Sequence, residues 1–381
     1  MALFQYFAGK VGGTGEMIEQ GLPRILKRLR PEDRLVLMGS AENIDPLKPK
    51  LDDPRVEIVE VPLSGRWRTV LRVGDLVLPG WGTKRLLGYL DQAKTDVVWY
   101  PQQSLFPRGI HGVSVVTCVD LQHQHLPGNF SFAERWGRYL KDRQMVRKGG
   151  RILCISGATR EDLLACHGGD PEKIGVVYLG GGAERVRNEE TQDEGYLYFP
   201  ANAYPHKNHV RLIRAFREFR RKREGAELRL VMTGQVYPQL AEELAKCKED
   251  KGIEHLGFVS AEKKEELFRG CSAVVFPSLF EGFGIPIIEA MSYGKPVLCN
   301  RLRVFEELVG DAVTYFDGGN VEGILAGLER GWRGIGGGWG ELFGGGERGG
   351  VFGGVGKGLG RGRPRNVSRD RGKVHLGGVC R

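Results

Sequence analysis

Two carboxylates flank a glycine-containing turn in the segment PSLFEGFGIPIIEAMSYGKPV, with Glu281 before the turn and Glu289 inside the helix predicted to follow it. The turn consists of Gly282, Phe283, Gly284 and Ile285. Its glycines let the backbone turn tightly, and the amide groups and dipole of a helix start favour a phosphate. Carboxylates beside such a site are suited to accept hydrogen bonds from sugar or ribose hydroxyls. An ordinary buried βαβ turn, in which the two acids only cap and solvate the helix, fits the same spacing.

A candidate cation, Lys207, lies in the loop ANAYPHKN directly after His206. This loop joins a strand predicted at Tyr196–Pro200 to a helix predicted at Val210–Arg223. Because ligands of parallel α/β sheets gather where the strands end, Lys207 would face the same crevice as Glu281. A solvated surface lysine is the alternative interpretation.

A third polar loop, DLQHQH, follows the strand predicted at Val113–Val119 and begins with Asp120. His123 and His125 are two residues apart, so they would share one face of an extended segment. A histidine pair can bind a metal, but no third ligand is evident nearby, and we predict no metal site. Histidines that are exposed or hydrogen-bonded within the loop are the simpler reading.

Near the N-terminus, Gly12 and Gly13 belong to the glycine-rich stretch GKVGGTG. Their spacing does not match the dinucleotide pattern G-x-G-x-x-G, so we predict no nicotinamide site. The residues that follow repeat their apolar positions at helical spacing, which indicates a helix with one buried face.

Short apolar runs alternate with helical patterns along most of the chain, which is typical of parallel α/β sheets. Besides the two strands already named, the first half predicts strands at residues 3–7, 35–38, 56–61, 97–100, 152–155 and 176–179, and the second half at residues 228–232, 256–259, 273–276 and 296–299. We therefore predict an α/β chain with two Rossmann-like parallel-sheet domains facing a cleft. The predicted divisions are a first domain at 1–182, a linker at 183–195, a second domain at 196–330 and a tail at 331–381; the resemblance described below implies that the first is the acceptor-side domain and the second the nucleotide-sugar-binding domain.

Composition limits the classes of function. The 381 residues carry a net charge of +9, of which about +7 falls beyond Gly331, where ten Lys or Arg face three acids. The remaining body is close to neutral and does not form an electrostatic groove for a polyanion, so we expect no specific nucleic-acid partner. No apolar run reaches the ~20 residues that span a bilayer. The seven cysteines are scattered and the N-terminus does not resemble a secretory signal, which together suit a cytoplasmic protein.

The last residues differ from the rest, because about 20 of the final 51 are glycine and no apolar period continues. Such a composition is typical of disorder. A shifted reading frame in a GC-rich gene would produce the same kind of Gly/Arg-rich sequence. An Arg/Gly-rich segment could also bind RNA without sequence specificity.

The segment from Tyr196 to Asp317 resembles the nucleotide-binding domain of retaining glycosyltransferases of family 4, which have the GT-B fold of the glycogen-synthase-like superfamily. Its acids at Glu281 and Glu289 match the family's E-x7-E pattern, PHKN matches its lysine loop, and LGFVS, with Phe258 and Val259, matches its base-contacting loop. GGTGEMIEQGL and VTCVDLQHQHLPGNF are similar to the acceptor-domain counterparts, so the resemblance covers roughly residues 1–330.

The resemblance implies roles for these residues. Lys207 and the helix start at Gly282 to Gly284 would neutralise the leaving diphosphate, and Glu289 would bind the ribose. Glu281 would contact the transferred sugar, and Gly12 with Gly13 would close over the phosphates.

Three departures from the family pattern follow. Val119 stands where a histidine often precedes Asp120, with His123 or His125 as a substitute, and His206 stands where an arginine often precedes the lysine. In the family, helices usually form the C-terminal end of the protein. Here the glycine-rich tail replaces them, and we therefore expect impaired folding or activity.

The sequence therefore predicts a metal-independent enzyme of the hexosyltransferase type, acting in glycan and polysaccharide biosynthesis. It would transfer a hexose, with mannose as the candidate, from a nucleoside-diphosphate sugar to a glycan or lipid-linked acceptor, using no cofactor beyond this co-substrate. A lipid-linked acceptor would favour peripheral contact with the inner face of the membrane. A GT-B-type nucleotide-sugar epimerase and an RNA-binding protein acting through the Arg/Gly tail are the alternatives.

Overall fold

The computed structural model describes residues 2–3, 12–61, 70–71, 73–75, 78, 80–84, 86, 88, 95–180, 193–222, 228–247 and 250–333. The chain divides into two compact units between Leu179 and Gly180. Each unit contains one sheet in which every described pair of strands is parallel. The predicted α/β class with two Rossmann-like sheets is confirmed.

The first sheet has seven strands in the order β3-β2-β1-β4-β5-β6-β7. They are β1 (Ala2–Leu3), β2 (Leu35–Gly39), β3 (Val56–Glu60), β4 (Val97–Tyr100), β5 (Val113–Cys118), β6 (Arg151–Cys154) and β7 (Ile174–Val176). The described helices of this unit are α1 (Gly12–Leu26), α2 (Ala41–Ile44), α3 (Trp81–Lys84), α4 (Gln122–His125), α5 (Phe132–Lys148) and α6 (Gly157–His167).

The second sheet has six strands in the order β10-β9-β8-β11-β12-β13. They are β8 (Tyr196–Pro200), β9 (Arg229–Thr233), β10 (Ile253–His255), β11 (Ala273–Phe276), β12 (Val297–Asn300) and β13 (Thr314–Phe316). The described helices of this unit are α7 (His209–Arg221), α8 (Pro238–Ala245), α9 (Ala261–Gly270), α10 (Ile285–Ser292), α11 (Arg303–Val309) and α12 (Val321–Arg333).

The central strands of the second sheet are buried along their whole length. Every residue of β8, β11 and β12 is buried, as expected for parallel strands covered on both faces. An aromatic core joins these strands to the helices, since the Phe276 ring meets Phe199 and Phe305 edge-on at centroid distances of 5.5 and 6.0 Å. This core gives the loops that follow the strands a rigid base.

Three sequence expectations differ from the structure. The strand predicted at Leu256–Val259 is wrong, because the strand lies at Ile253–His255 and Gly257 then adopts a left-handed φ of 71° that ends it. The glycine loop predicted around Gly12 and Gly13 is instead the first turn of α1 where the structure describes it. The strand predicted at Val176–Leu179 lies at Ile174–Val176.

The predicted tail begins too early, because α12 continues through Arg333. Trp332 packs its ring edge-on against Phe219 of α7 at a centroid distance of 5.9 Å. Residues 334–381, most of the linker predicted at 183–195 and residues 4–7 of the first predicted strand lie outside the described residues. None of the helices within the described ranges combines the length and the apolar character needed to cross a membrane.

Candidate active site

The order of strands in the second sheet places two loops side by side at a ligand-binding position. The chain leaves β8 toward β9 and β10, then returns to β11 on the other side of β8 and continues outward. Ligands of open α/β sheets bind outside the carboxyl ends of the strands at such a switch point. The loop after β8 carries Lys207 and the loop after β11 carries Glu281.

The loop after β8 is fixed by Asn208, which adopts a left-handed conformation with φ 66°. The buried Asn208 side chain donates hydrogen bonds from Nδ2 to the carbonyls of Pro277 (3.1 Å) and Gly318 (2.8 Å). The N–H of Leu279 donates to the carbonyl of His206 at 2.7 Å. The bonds to Pro277 and from Leu279 tie the lysine loop to the loop that carries Glu281.

Lys207 and Glu281 form an ion pair across the switch point. Lys207 Nζ lies 2.5 Å from Glu281 Oε1, and the two side chains are 17% and 11% exposed. The ammonium group also lies 5.3 Å from the centroid of the Phe276 ring. The two side chains thus share one strand-end crevice, and a partly buried ammonium there is suited to the negative charge of a phosphate, the role that the sequence resemblance implies for Lys207.

His206 precedes this lysine but adds no charge at neutral pH. Burial, with a smaller contribution from Lys207, lowers the pKa of His206 to about 3. Its ring stacks on Tyr204 at a centroid distance of 5.8 Å. The imidazole is therefore neutral, and Lys207 supplies the positive charge of this loop.

The glycine turn after Glu281 has the geometry predicted for it. Gly284 has a φ of 107°, and a Cβ placed there would lie 2.6 Å from Phe305 Cε1, so only glycine fits. Gly284 immediately precedes α10, and Pro286 lies in the first turn of that helix. Phe283, the residue before Gly284, is buried, and Ile285 is the first residue of the helix.

Glu289 lies on α10 and is buried. Lys264 of α9 donates from Nζ to Glu289 Oε1 at 2.8 Å. Sequence reasoning did not identify Lys264, because nothing in the spacing of the α9 segment links it to an acid 25 residues later. The second carboxylate of the E-x7-E pattern is thus also held by a lysine from a neighbouring element.

The loop after β10 presents an exposed aromatic side chain. Phe258 is 81% exposed and Val259 beside it is half-buried. The N–H of Gly234, in the loop after β9, donates to the carbonyl of Gly257 at 2.7 Å and anchors this segment. A planar aromatic face at the carboxyl end of the sheet is suited to stack on a nucleobase.

In the first unit, the loops after β4 and β5 meet at the carboxyl end of neighbouring strands. Asp120 follows β5, and its Oδ1 accepts a hydrogen bond from the N–H of Gln122 at 3.1 Å. Gln103, from the loop after β4, holds the backbone of Asp120 through its side chain. Asp120 therefore occupies the strand-end position predicted for it.

His123 does not reach the surface. It is 2% exposed, and its Nε2 lies 3.3 Å from Oδ2 of the buried Asp142. Burial lowers the pKa of His123 to about 3, so the ring is neutral at physiological pH. His125 lies apart from it, with Nε2 2.8 Å from Asp162 Oδ2. Across the described ranges, no group of three or more His, Cys, Asp or Glu side chains is arranged to hold a metal ion.

The sequence of the second unit matches a known protein family. Residues 182–330 match the family described as "Glycosyl transferases group 1". This range contains the second-unit residues of the candidate site, including the Lys207–Glu281 pair.

Curated relatives share parts of the chain. O-antigen chain mannosyltransferase B of Escherichia coli is 43% identical over 74 residues, which cover 19% of each protein. O-antigen chain mannosyltransferase RfbU of Salmonella typhimurium is 26% identical over 203 residues, covering 52% of this chain and 55% of that protein. The serotype-specific mannosyltransferase WbdA of Escherichia coli is 32% identical over 209 residues, covering 49% of this chain and 25% of that protein. The chain thus spans about half, or less, of the length of these relatives.

Solved structures resemble the chain over most of its length. HepE of Anabaena, in complex with UDP and glucose, gives a TM-score of 0.62 at 19% identity and covers 87% of this chain and 89% of that one. WaaG, a glycosyltransferase involved in lipopolysaccharide biosynthesis, gives 0.64 at 15% identity and covers 86% and 89%. These likenesses agree with the GT-B fold expected from the sequence. The family match and the relatives' names support the prediction of a glycosyltransferase enzyme.

Proposed function

We propose that the chain is a retaining glycosyltransferase of family 4 that moves a hexose, specifically mannose, from a nucleoside-diphosphate sugar to a glycan or lipid-linked acceptor. The observation that carries this proposal is the Lys207–Glu281 ion pair at the switch point of a unit that matches glycosyl transferases group 1. The mannosyltransferase names of the relatives support the choice of sugar.

The donor would lie along the carboxyl ends of β10, β8 and β11. Phe258, with Val259, would stack on the base, and Glu289 would accept hydrogen bonds from the ribose hydroxyls. The diphosphate would meet Lys207 and the amide groups from Gly282 to the start of α10.

The reaction breaks the bond between the anomeric carbon and the diphosphate oxygen, which keeps the electron pair. The acceptor hydroxyl forms the new bond on the same face of the sugar, and its proton passes to the departing phosphate oxygen. Lys207 stabilises the charge that develops on this oxygen, and Glu281 stabilises the cationic sugar. Attack and departure on one face retain the anomeric configuration.

The first unit would supply the acceptor side. Asp120 would accept a hydrogen bond from the acceptor hydroxyl and orient it, because it lies in the loop that follows the carboxyl end of β5. Gly12 and Gly13 would approach the phosphates through the first turn of α1, because glycine has no side chain of its own to cover the backbone. His123 would act by supporting this loop from inside, since it is buried.

We also propose that catalysis needs no metal ion and no cofactor besides the nucleotide sugar. Lys207 and backbone amides provide the positive charge that a metal provides in other enzymes. Turnover is expected to be unchanged by EDTA, and a loss that Mg²⁺ or Mn²⁺ restores would contradict this part of the proposal.

The test is an assay of purified protein with GDP- and UDP-linked glucose, galactose and mannose, with simple glycosides and polyprenyl-linked sugars as acceptors. We expect transfer or slow donor hydrolysis with GDP-mannose, and NMR of the product should show the donor's anomeric configuration. Release of an isomerised sugar would indicate an epimerase, and a product with inverted configuration would overturn retention. A folded protein that shows no turnover and binds no nucleotide would overturn the whole proposal.

A peripheral membrane contact also has a structural candidate, the helix α5. Its outward side carries Phe132 and Trp136, which are 79% and 54% exposed. Helical spacing places Arg143 and Arg147 on this same side. The helix has two acids, one of them buried, against six basic residues. The basic residues are Arg135, Arg138, Lys141, Arg143, Arg147 and Lys148. Exposed aromatics on a basic helix suit the surface of an anionic bilayer, and we propose that α5 contacts the inner face of the membrane.

Sedimentation with vesicles tests this contact. Wild type should bind phosphatidylglycerol-containing vesicles, binding should fall with salt, and Trp136→Ala with Phe132→Ala should reduce it at least about fivefold. Val113→Ala, which removes another exposed apolar side chain of the same unit, is the control. Equal binding to neutral vesicles, or no effect of the two substitutions, would contradict the proposal.

A further inference from the structure

A buried polar network lies beneath the loop that carries Asp120, and its centre is Gln103. Gln103 follows β4 and has a φ of 48°, a left-handed conformation that is unusual for a residue with a side chain. Surrounding contacts must compensate for the cost of this conformation.

The side chain of Gln103 makes four hydrogen bonds. Its Oε1 accepts from the N–H groups of Val119 (2.9 Å) and Asp120 (3.2 Å). Its Nε2 donates to the carbonyl of Asp120 (2.8 Å) and to Asp142 Oδ1 (2.9 Å). A carboxamide has two donor hydrogens and two acceptor sites, so this side chain is fully used.

Asp142 determines which way the carboxamide faces. It comes from α5 and is almost completely buried, with His123 Nε2 at 3.3 Å and His167 Nε2 at 3.9 Å from its Oδ2. Asp142 Oδ1 accepts from the amide end of Gln103, and the N–H groups of Val119 and Asp120 require an acceptor at the other end. The opposite flip would place two oxygen atoms against each other and the amide against two N–H groups. Gln103 therefore has one stable orientation, which turns its oxygen toward the backbone of Val119 and Asp120.

We propose that Gln103 is a positioning residue, which holds the backbone at Val119 and Asp120 in the conformation that presents the Asp120 carboxylate to the acceptor, while Asp142 orients Gln103. This inference rests on the proposed function, because it assigns the acceptor-side role to Asp120. Gln103 itself acts through the loop and does not contact the reacting atoms.

The first arm of the test follows the loop and does not depend on turnover. Hydrogen exchange of peptides covering residues 113–126 is compared in wild type, Gln103→Leu and Gln103→Glu, with Gln102→Leu as the control. Gln102 is the adjacent glutamine and makes none of the four bonds. The Val119 and Asp120 amides should exchange about tenfold faster in both Gln103 variants and remain unchanged in the control. Unchanged exchange in Gln103→Leu would overturn the inference.

A paired substitution separates orientation from packing. Gln103→Glu turns a second oxygen toward Asp142, and Asp142→Asn supplies a donor that faces it. The double variant should therefore recover part of the protection lost in Gln103→Glu, whereas additive losses would overturn the role of Asp142.

The second arm measures function with GDP-mannose as donor and methyl mannoside as acceptor. Gln103→Leu should reduce transfer about tenfold while GDP binding stays within about twofold, because the proposed base, ribose and charged phosphate contacts lie on the second unit and Gln103 contacts none of them. An equal loss of GDP binding and transfer, or unchanged transfer with a loosened loop, would overturn the positioning role. Wild type that neither binds GDP nor turns over this donor would instead count against the proposed function, and the exchange arm would still decide whether Gln103 holds the loop.

Discussion

Replacing Lys207 by Met removes the positive charge proposed to meet the leaving diphosphate while keeping most of the side-chain volume. The perturbation is specific, because Lys207 Nζ contacts Glu281 Oε1 at 2.5 Å and Asn208 holds the loop independently. The substitution also leaves Glu281, which is 11% exposed, without its cation. Two effects must therefore be separated, one on stability and one on turnover.

The expected sizes differ. Leaving a mostly buried carboxylate unpaired costs about 1–3 kcal/mol of unfolding free energy. A unit charge at about 4 Å from a developing phosphate charge contributes up to about 4 kcal/mol at an effective dielectric constant of about 20. Part of this attraction is already present in the bound donor, so kcat should fall by about 10²–10³, as when one stabilising donor is lost from an oxyanion site. Nucleotide affinity should change less.

Steady-state kinetics with GDP-mannose, together with thermal unfolding, measure both effects. Lys222→Met is the matched control, since it makes the same charge change on the same unit at a half-exposed residue, 3.4 Å from Glu329. We expect the control to keep wild-type kcat, because an exposed ion pair contributes about 0–1 kcal/mol. If folded Lys207→Met retains kcat within about threefold of wild type, the assigned role of Lys207 is wrong.

Four further predictions follow from the described contacts. Glu289→Gln should raise the dissociation constant of GDP at least about tenfold with a smaller effect on kcat, and calorimetry that finds equal affinity would contradict a ribose role. Gly284→Ala should lower the unfolding free energy by about 2–4 kcal/mol, because the new Cβ meets Phe305. Gly294 also has a positive φ but lies in open space, so Gly294→Ala should lower it by only about 1–2 kcal/mol. Equal losses of unfolding free energy in chemical denaturation would refute the clash. Burial raises the pKa of Asp142 to about 7, so its contribution to stability is present below pH 4 and is lost as the pH rises toward 7. The Asp142→Asn variant should therefore gain stability relative to wild type as the pH rises over this range. A stability difference that is independent of pH would contradict the raised pKa. Phe258→Ala should weaken GDP binding by about 1–3 kcal/mol without lowering the melting temperature, since the ring is 81% exposed, and unchanged affinity would remove the stacking role.

The strands that position the site were predictable because their sequences are simple. Residues 97–100, 196–200 and 273–276 are short apolar runs bounded by polar or glycine-containing loops, and the observed strands have the same bounds. Parallel strands end at a common edge, so the polar loops after them were expected to converge. Lys207 and Glu281, predicted on two such loops, are in direct contact.

The supporting contacts were not predictable, because they join elements far apart in the sequence. Lys264 binds Glu289 across 25 residues and Gln103 binds Asp142 across 39. Neither pair has a spacing rule, since each depends on how a helix packs on its sheet. The burial of His123 was also not predictable, because a histidine in a polar loop is expected to be exposed. Its contact with Asp142 depends on how the helix α5 packs beside this loop.

The central claim is that the second unit binds a nucleoside diphosphate at the Lys207–Glu281 crevice. Isothermal titration of GDP and UDP into wild type and into the Lys207→Met/Glu289→Gln double variant tests it most directly. We predict that one nucleotide binds wild type with a dissociation constant of about 1 μM to 1 mM, and that the folded double variant binds it at least about 100-fold more weakly. Folded wild type that binds neither nucleotide, or a double variant that binds as wild type does, would contradict the claim.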